Sequence, residues 1–204
     1  MESDSGNYCN QEQFKLNKRN ALSKLDKSKK GEIDDGIKQL LGIINSSSSY
    51  FTTSSCSGRI VLLEIGSAKN GNSWLYCSHN SADYAEIKSA LLQYKGKNDI
   101  WLRAEPAILH VCARDTEKAD SLLQIFRENG FKHSGIISLK SKIMLEIQNT
   151  DGFAAIVAKN GKIIISDDYL KALTAEANSN ISKTKSKLKK LEKLLFIRKE
   201  CATQ

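Results

Sequence analysis

A single proline, Pro106, among 204 residues leaves no Pro-rich spacer, so any lobes must be packed together rather than strung out. Long apolar runs are missing too. The strongest, Ile60-Val61-Leu62-Leu63, is cut by Glu64, whereas a bilayer span takes about 20 apolar residues. The polar start, Met1 to Asn10, lacks a signal-peptide core. A cytoplasmic protein without membrane contact is expected. The cysteines Cys9, Cys56, Cys77, Cys112 and Cys201 are odd in number and irregularly spaced, with no C-x-x-C pair. That pattern speaks against zinc ribbons and thioredoxin-like redox sites and for a reducing compartment. His79, His110 and His133 form no helical H-x-x-x-H pair, so no metal site is expected. No G-x-G-x-x-G follows a strand, and Gly66 to Gly71 lacks the Lys-Ser/Thr ending of a P-loop. The acidic-aromatic Pro-Pro motif of many amino-group methyltransferases is absent as well.

What is present is a globular composition, 40% hydrophobic and 26% charged, which excludes disorder and collagen-like structure. The length allows one or two domains. The expectation is one compact domain over 1–204, with N-terminal helices at about 10–45 and a basic C-terminal helix at about 167–199.

Hydrophobic periodicity predicts helices over Gln11 to Leu25, Glu32 to Ile44, Asp83 to Tyr94 and Thr116 to Asn129, the last stopped by Gly130. Asp26 to Gly31 breaks the first two apart. Strands are predicted at Tyr50 to Thr53, Arg59 to Ile65, Ser73 to Ser78, Ile100 to Arg103, Ala107 to Ala113, Ile136 to Leu139, Ile143 to Ile147, Phe153 to Ala158 and Lys162 to Ile165. Asn70-Gly71-Asn72 reads as a hairpin turn. Strands outnumber helices and hairpin spacing dominates. The fold class expected is therefore α/β of the α+β type: a mixed, largely antiparallel sheet with packed terminal helices.

The net charge is +8, and +6 of it sits between Ser182 and Glu200, where eight basic residues face only Glu192 and Glu200. Ile181, Leu188, Leu191 and Leu195 recur at helical intervals there, with Thr184 in the remaining slot, marking one buried stripe and a basic outer face. Such a face is either solvated or an electrostatic footprint for phosphates.

Ser54-Ser55-Cys56-Ser57-Gly58-Arg59 packs three hydroxyls, a thiol, a glycine and an arginine between two strands. A tight loop is expected, either an anion cradle or a Ser-rich hairpin with Cys56 in the core. Only Ser57 and Gly58 separate Cys56 from Arg59, too few for the phosphate wrap of a cysteine phosphatase. Trp74 to His79 ends a strand with a histidine, while Glu105-Pro106-Ala107-Ile108-Leu109-His110 sets a carboxylate before a strand and a histidine inside it. With Glu105, the histidines could supply a general base.

These residues resemble a known family. Asp26-x-Ser28-x-Lys30-Gly31-x-x-Asp34, Tyr50 to Arg59, Trp74 with His79, Glu105-Pro106 with His110-Val111, Gly130-Phe131-Lys132 with Ser134-Gly135-Ile136, and Ala177-Asn178 are similar to the wybutosine-synthesis methyltransferases. These are the third-step enzymes of the eukaryotic pathway for tRNA(Phe), with archaeal relatives. The likeness runs from about Phe14 to Lys193. Asn180 and Thr184 depart from the Lys and Asn that the family often carries there.

The resemblance implies methyl transfer from S-adenosylmethionine to N-4 of a tricyclic guanine-derived base beside the anticodon, on a fold other than the Rossmann-type one. The partner implied is tRNA(Phe), not DNA and not a membrane. Glu105, His110 or His79 would act as base. Ser54, Ser55, Ser57, Gly58 and Arg59 would hold the cofactor's carboxylate or an RNA phosphate. Lys30, Asp34, Trp74, Asn178, Lys185, Lys189 and Lys193 would contact substrate, and Tyr50 could stack on a base. A non-catalytic RNA-binding module and a nucleophilic or redox Cys56 are the rival expectations.

Overall fold

In the computed structural model, residues 11–23, 34–66 and 71–201 are described, with side chains up to residue 197. The expected break at Asp26 to Gly31, the residues Leu25, Lys30, Glu32 and Ile33, and Asn70 of the expected turn lie outside them. The elements in order are α1 (Gln11–Leu22), α2 (Asp35–Ser46), β1 (Tyr50–Cys56), β2 (Arg59–Ile65), β3 (Ser73–Ser78), α3 (Tyr84–Gln93), β4 (Asp99–Glu105) and β5 (Ile108–Ala113). There follow α4 (Thr116–Glu128), β6 (Gly135–Ser138), β7 (Ile143–Gln148), β8 (Phe153–Lys159), β9 (Lys162–Ile163) and α5 (Asp167–Cys201). No helix among the described residues is long and apolar enough to cross a membrane.

Every strand pairing is antiparallel. The strands divide between a four-stranded sheet, β1-β5-β7-β6, and a five-stranded sheet, β3-β2-β4-β8-β9. The chain separates into two compact units.

The first unit takes its described residues up to Cys56, from Ile108–Asn149 and from Lys187 onward. One face of its sheet presents Leu109, Val111, Leu145 and Ile147, all fully buried. On that side Asn45 of α2 accepts from the Thr52 N–H at 2.8 Å, and the Tyr50 hydroxyl donates to the Lys118 carbonyl of α4 at 2.9 Å. The other face is partly covered by α1, whose Phe14 ring lies 5.3 Å from Phe51 beside Cys112 and Met144. Gly130 ends α4 at φ +93°, as its position predicts.

The second unit comprises Ser57–Ala107 and Thr150–Ser186. Ile60, Leu62, Ile100, Leu102, Ala104, Val157 and Ala158 line one sheet face against Ile87 and Leu91 of α3 and Leu170, Ala177 and Ile181 of α5. Asp83 caps α3, accepting from the Ala85 and Glu86 N–H groups. The Asn178 amide grips Ala82 from both sides, accepting from its N–H at 2.7 Å and donating to its carbonyl at 3.0 Å.

Asp167 at the start of α5 ties α3 in place, bonded to the Tyr84 hydroxyl and to Lys88 at 2.7 Å. Hydrogen bonds from Lys88 and then Tyr84 pull its carboxyl down to about 2. A depressed folded-state value gives stability that is complete above the ordinary carboxylate range and is lost as pH falls toward that value. Relative to the intrinsic rate at each pH, hydrogen exchange on α3 is therefore expected to accelerate between about pH 4 and 2. Asp167→Asn should abolish that acceleration; an unchanged acid response in the variant would assign it to another carboxylate.

Candidate active-site clusters

β1 is longer than its sequence suggests. The expected loop from Ser54 to Arg59 contracts to Ser57 and Gly58, because Ser54, Ser55 and Cys56 pair with His110, Leu109 and Ile108 of β5. Nor do β1 and β2 form a hairpin, since each belongs to a different sheet. A bulge at Thr53 shifts the register between Thr52 and Ser54, which turns Ser54 to the sheet face of His110; bulges re-aim side chains in this way.

On that face, in the first unit, a polar row crosses three strands. The Ser54 hydroxyl lies 2.7 Å from His110 Nδ1, and His110 Nε2 lies 3.0 Å from Glu146 Oε2. An ionised carboxylate only accepts, so Nε2 carries the proton, and in the neutral imidazole Nδ1 then accepts from Ser54. The arrangement is a hydroxyl, a base and an orienting carboxylate in line. Ser54 is exposed, and His110 and Glu146 are half-buried. Glu146 was not singled out from sequence. Its partner is set by the β5–β7 register, in which His110 faces Glu146, and no local motif reports that pairing. Ser55 Oγ, also on β1, is buried without a hydrogen-bond partner.

The second unit carries a different cluster on the sheet face turned away from α3. Arg59 and Glu105 are register partners, and Arg59 Nε donates to Glu105 Oε2 at 2.6 Å. The same guanidinium lies 4.4 Å above the Trp74 ring. His79 Nδ1 donates to the Gly58 carbonyl at 3.1 Å. Val61, Leu63, Trp101 and Arg103 share this face by strand alternation. Arg103 lies over Trp101 at 5.5 Å, and its Nε is buried without a hydrogen-bond partner. Neither Trp101 nor Arg103 stood out in sequence, although two-residue alternation through Arg59, Val61 and Leu63 and its antiparallel echo in β4 would have found them.

Of the other expected site residues, Ser57 is buried, its hydroxyl 3.5 Å from the Gly58 carbonyl, and Asp34 caps α2 through its carbonyl, which accepts from the Ile37 N–H. The side chain of Asn178 serves Ala82, as above. Lys185 Nζ donates to Asn80 at 2.6 Å, whereas Lys189 and Lys193 are exposed. The expected stripe of α5 is buried at Ile181, Thr184, Leu188 and Leu191, so these lysines are on its outer side. Lys30 lies outside the described residues.

Residues 16–196 match the family described as Methyltransferase TYW3. A Pyrococcus abyssi protein, tRNA(Phe) 7-((3-amino-3-carboxypropyl)-4-demethylwyosine(37)-N(4))-methyltransferase 1, is 38% identical over 89% of this chain and 95% of its own length. The human tRNA wybutosine-synthesizing protein 3 homolog is 32% identical over 87% of this chain and 70% of its own. Among solved structures, the PH1069 protein from Pyrococcus horikoshii superposes with TM-score 0.82 at 35% identity, covering 90% of this chain and 94% of that one. A hypothetical protein from Aeropyrum pernix superposes with TM-score 0.69 at 32% identity, covering 79% and 96%. With a family match over most of its length and relatives at this identity, the chain belongs to the TYW3 methyltransferase family.

Proposed function

We propose that this chain methylates N-4 of 7-(3-amino-3-carboxypropyl)-4-demethylwyosine at position 37 of tRNA(Phe), with S-adenosylmethionine as methyl donor. The family match over residues 16–196 carries the proposal, and relatives named for this reaction support it. A methyltransferase requires a methyl donor, and the partnerless Arg103 Nε fits one that bears a carboxylate. When bound, that donor supplies a methyl group activated by the sulfonium, so no protein nucleophile is required and Cys56 has no covalent role.

The protein's task is to align the acceptor and move its proton. The acceptor N–H gives its proton to Ser54 Oγ as the Ser54 proton passes to His110 Nδ1. Glu146, holding Nε2–H, keeps the imidazole oriented and stabilises the cation that results. This reading makes His110 the base. Glu105 is left neutralising Arg59, and His79 supports the Gly58 turn. Trp74, 38% exposed and backed by Arg59, offers a ring for stacking. Lys189 and Lys193 attract the tRNA backbone.

The test is mass spectrometry of tRNA(Phe) nucleosides after incubation with protein, labelled S-adenosylmethionine and precursor tRNA. The expected product is the position-37 base carrying one labelled methyl on N-4. Label on another nucleotide, or none with folded protein, overturns the proposal.

A further inference from the structure

The side chain of Arg103 has no place in the proton chain, yet it stands apart from the other arginines. Arg59 Nε is bonded to Glu105 at 2.6 Å, Arg114 Nε to Asp115 at 3.0 Å, and Arg127 Nε to the Ser134 carbonyl at 3.1 Å. Arg19 is exposed on α1. Among the described arginines, Arg103 alone has its Nε buried without a hydrogen-bond partner. An unmade hydrogen bond from a buried charged donor is costly and is seldom retained without a use.

Its surroundings define that use. Arg103 faces Val61 across the β2–β4 pair, and Trp101 faces Leu63. Val61 is fully buried and Leu63 nearly so. The guanidinium carbon lies 5.5 Å from the centre of the Trp101 ring, and its Nε edge is left unbonded. That edge, Nε–H with the neighbouring Nη–H, matches the two oxygens of one carboxylate. Glu105 lies two residues on, on the same face, where its charge is already taken up by Arg59, so the guanidinium of Arg103 is left as a positive charge on that face.

We propose that Arg103 receives the carboxylate of a 3-amino-3-carboxypropyl chain. The assignment of the ligand rests on the function proposed above. Two molecules of that reaction carry the group: S-adenosylmethionine on its sulfur and the acceptor base on its ring.

Equilibrium binding to the full chain separates them. One arm measures S-adenosylmethionine against its decarboxylated analogue without tRNA. The other measures precursor tRNA(Phe) with and without the aminocarboxypropyl chain, without methyl donor. Arg103→Gln is expected to weaken the carboxylate-bearing ligand roughly 10- to 100-fold in one arm and to leave its carboxylate-free counterpart unchanged. Arg103→Lys should recover part of the loss, because it restores charge without the fork.

The arm that responds names the source. Unchanged affinities in both arms, or equal losses with and without the carboxylate, overturn the proposal. A wild-type protein that binds through Arg103 but transfers no methyl overturns the proposed function alone. Methylation by a wild type whose Arg103→Gln variant keeps every affinity overturns the carboxylate site alone. Melting curves separate a binding loss from unfolding; the variants are expected to melt with the wild type, since the Arg103 Nε makes no hydrogen bond within the fold.

Discussion

His110→Ala is expected to slow methyl transfer by about 10²- to 10⁴-fold, the usual contribution of a positioned general base, with little change in melting temperature. His110 is half-buried on a sheet face, so its truncation opens no large core cavity. The bonds it makes, to Ser54 at 2.7 Å and to Glu146 at 3.0 Å, are to groups that water can satisfy. Glu146→Gln should give a smaller loss, because an amide still meets the ring but no longer stabilises the imidazolium. Ser54→Ala should cost less again, since the acceptor N–H can then approach Nδ1 directly. Single-turnover rates at saturating substrate across a pH series test this order. Full activity in His110→Ala with bound substrate would remove the base from this row and return the role to Glu105 or His79.

The periodic elements were legible in the sequence because their signals are local. The β-branched and apolar run from Arg59 to Ile65 predicts β2 to the residue, and the α5 stripe survives even at Thr184, which is fully buried though polar. The division into two sheets was not legible. Dipeptide connections such as Ser57-Gly58 and Pro106-Ala107 look like hairpin turns, yet the strands they join pair elsewhere. Which strand a strand pairs with depends on the register of distant segments, and composition does not encode that. Site residues followed the same division. His110 was visible as a histidine inside a strand, whereas Glu146 and Arg103 acquire meaning only through β5–β7 and β2–β4 pairing. Even the Ser-Cys-Gly-Arg segment, the most informative stretch of sequence, is a loop only at Ser57 and Gly58, because bulge and ladder turn Ser54 to Cys56 into strand.

Gly58→Ala is expected to destabilise the fold at the turn that carries Arg59. Gly58 is buried with φ +90°, where an L residue is strained by about 1–2 kcal/mol. An added Cβ would stand 3.0 Å from the Glu105 carbonyl oxygen, 3.2 Å from the Ala107 nitrogen and 3.3 Å from the Pro106 carbonyl carbon. All three are backbone atoms, so no rotamer change relieves the crowding. The β4–β5 connection must move, and with it the Arg59–Glu105 pair and the carbonyl that holds His79. A total cost of about 2–4 kcal/mol follows, lowering the melting midpoint by roughly 5–15 °C. Gly42→Ala is the control: it lies exposed inside α2 with nothing within 4 Å of an added Cβ, so helix propensity should make it stabilising by about 0.5–1 kcal/mol. Melting curves of the two variants should therefore shift in opposite directions. A Gly58→Ala protein that melts with the wild type would show that the turn can adopt another conformation.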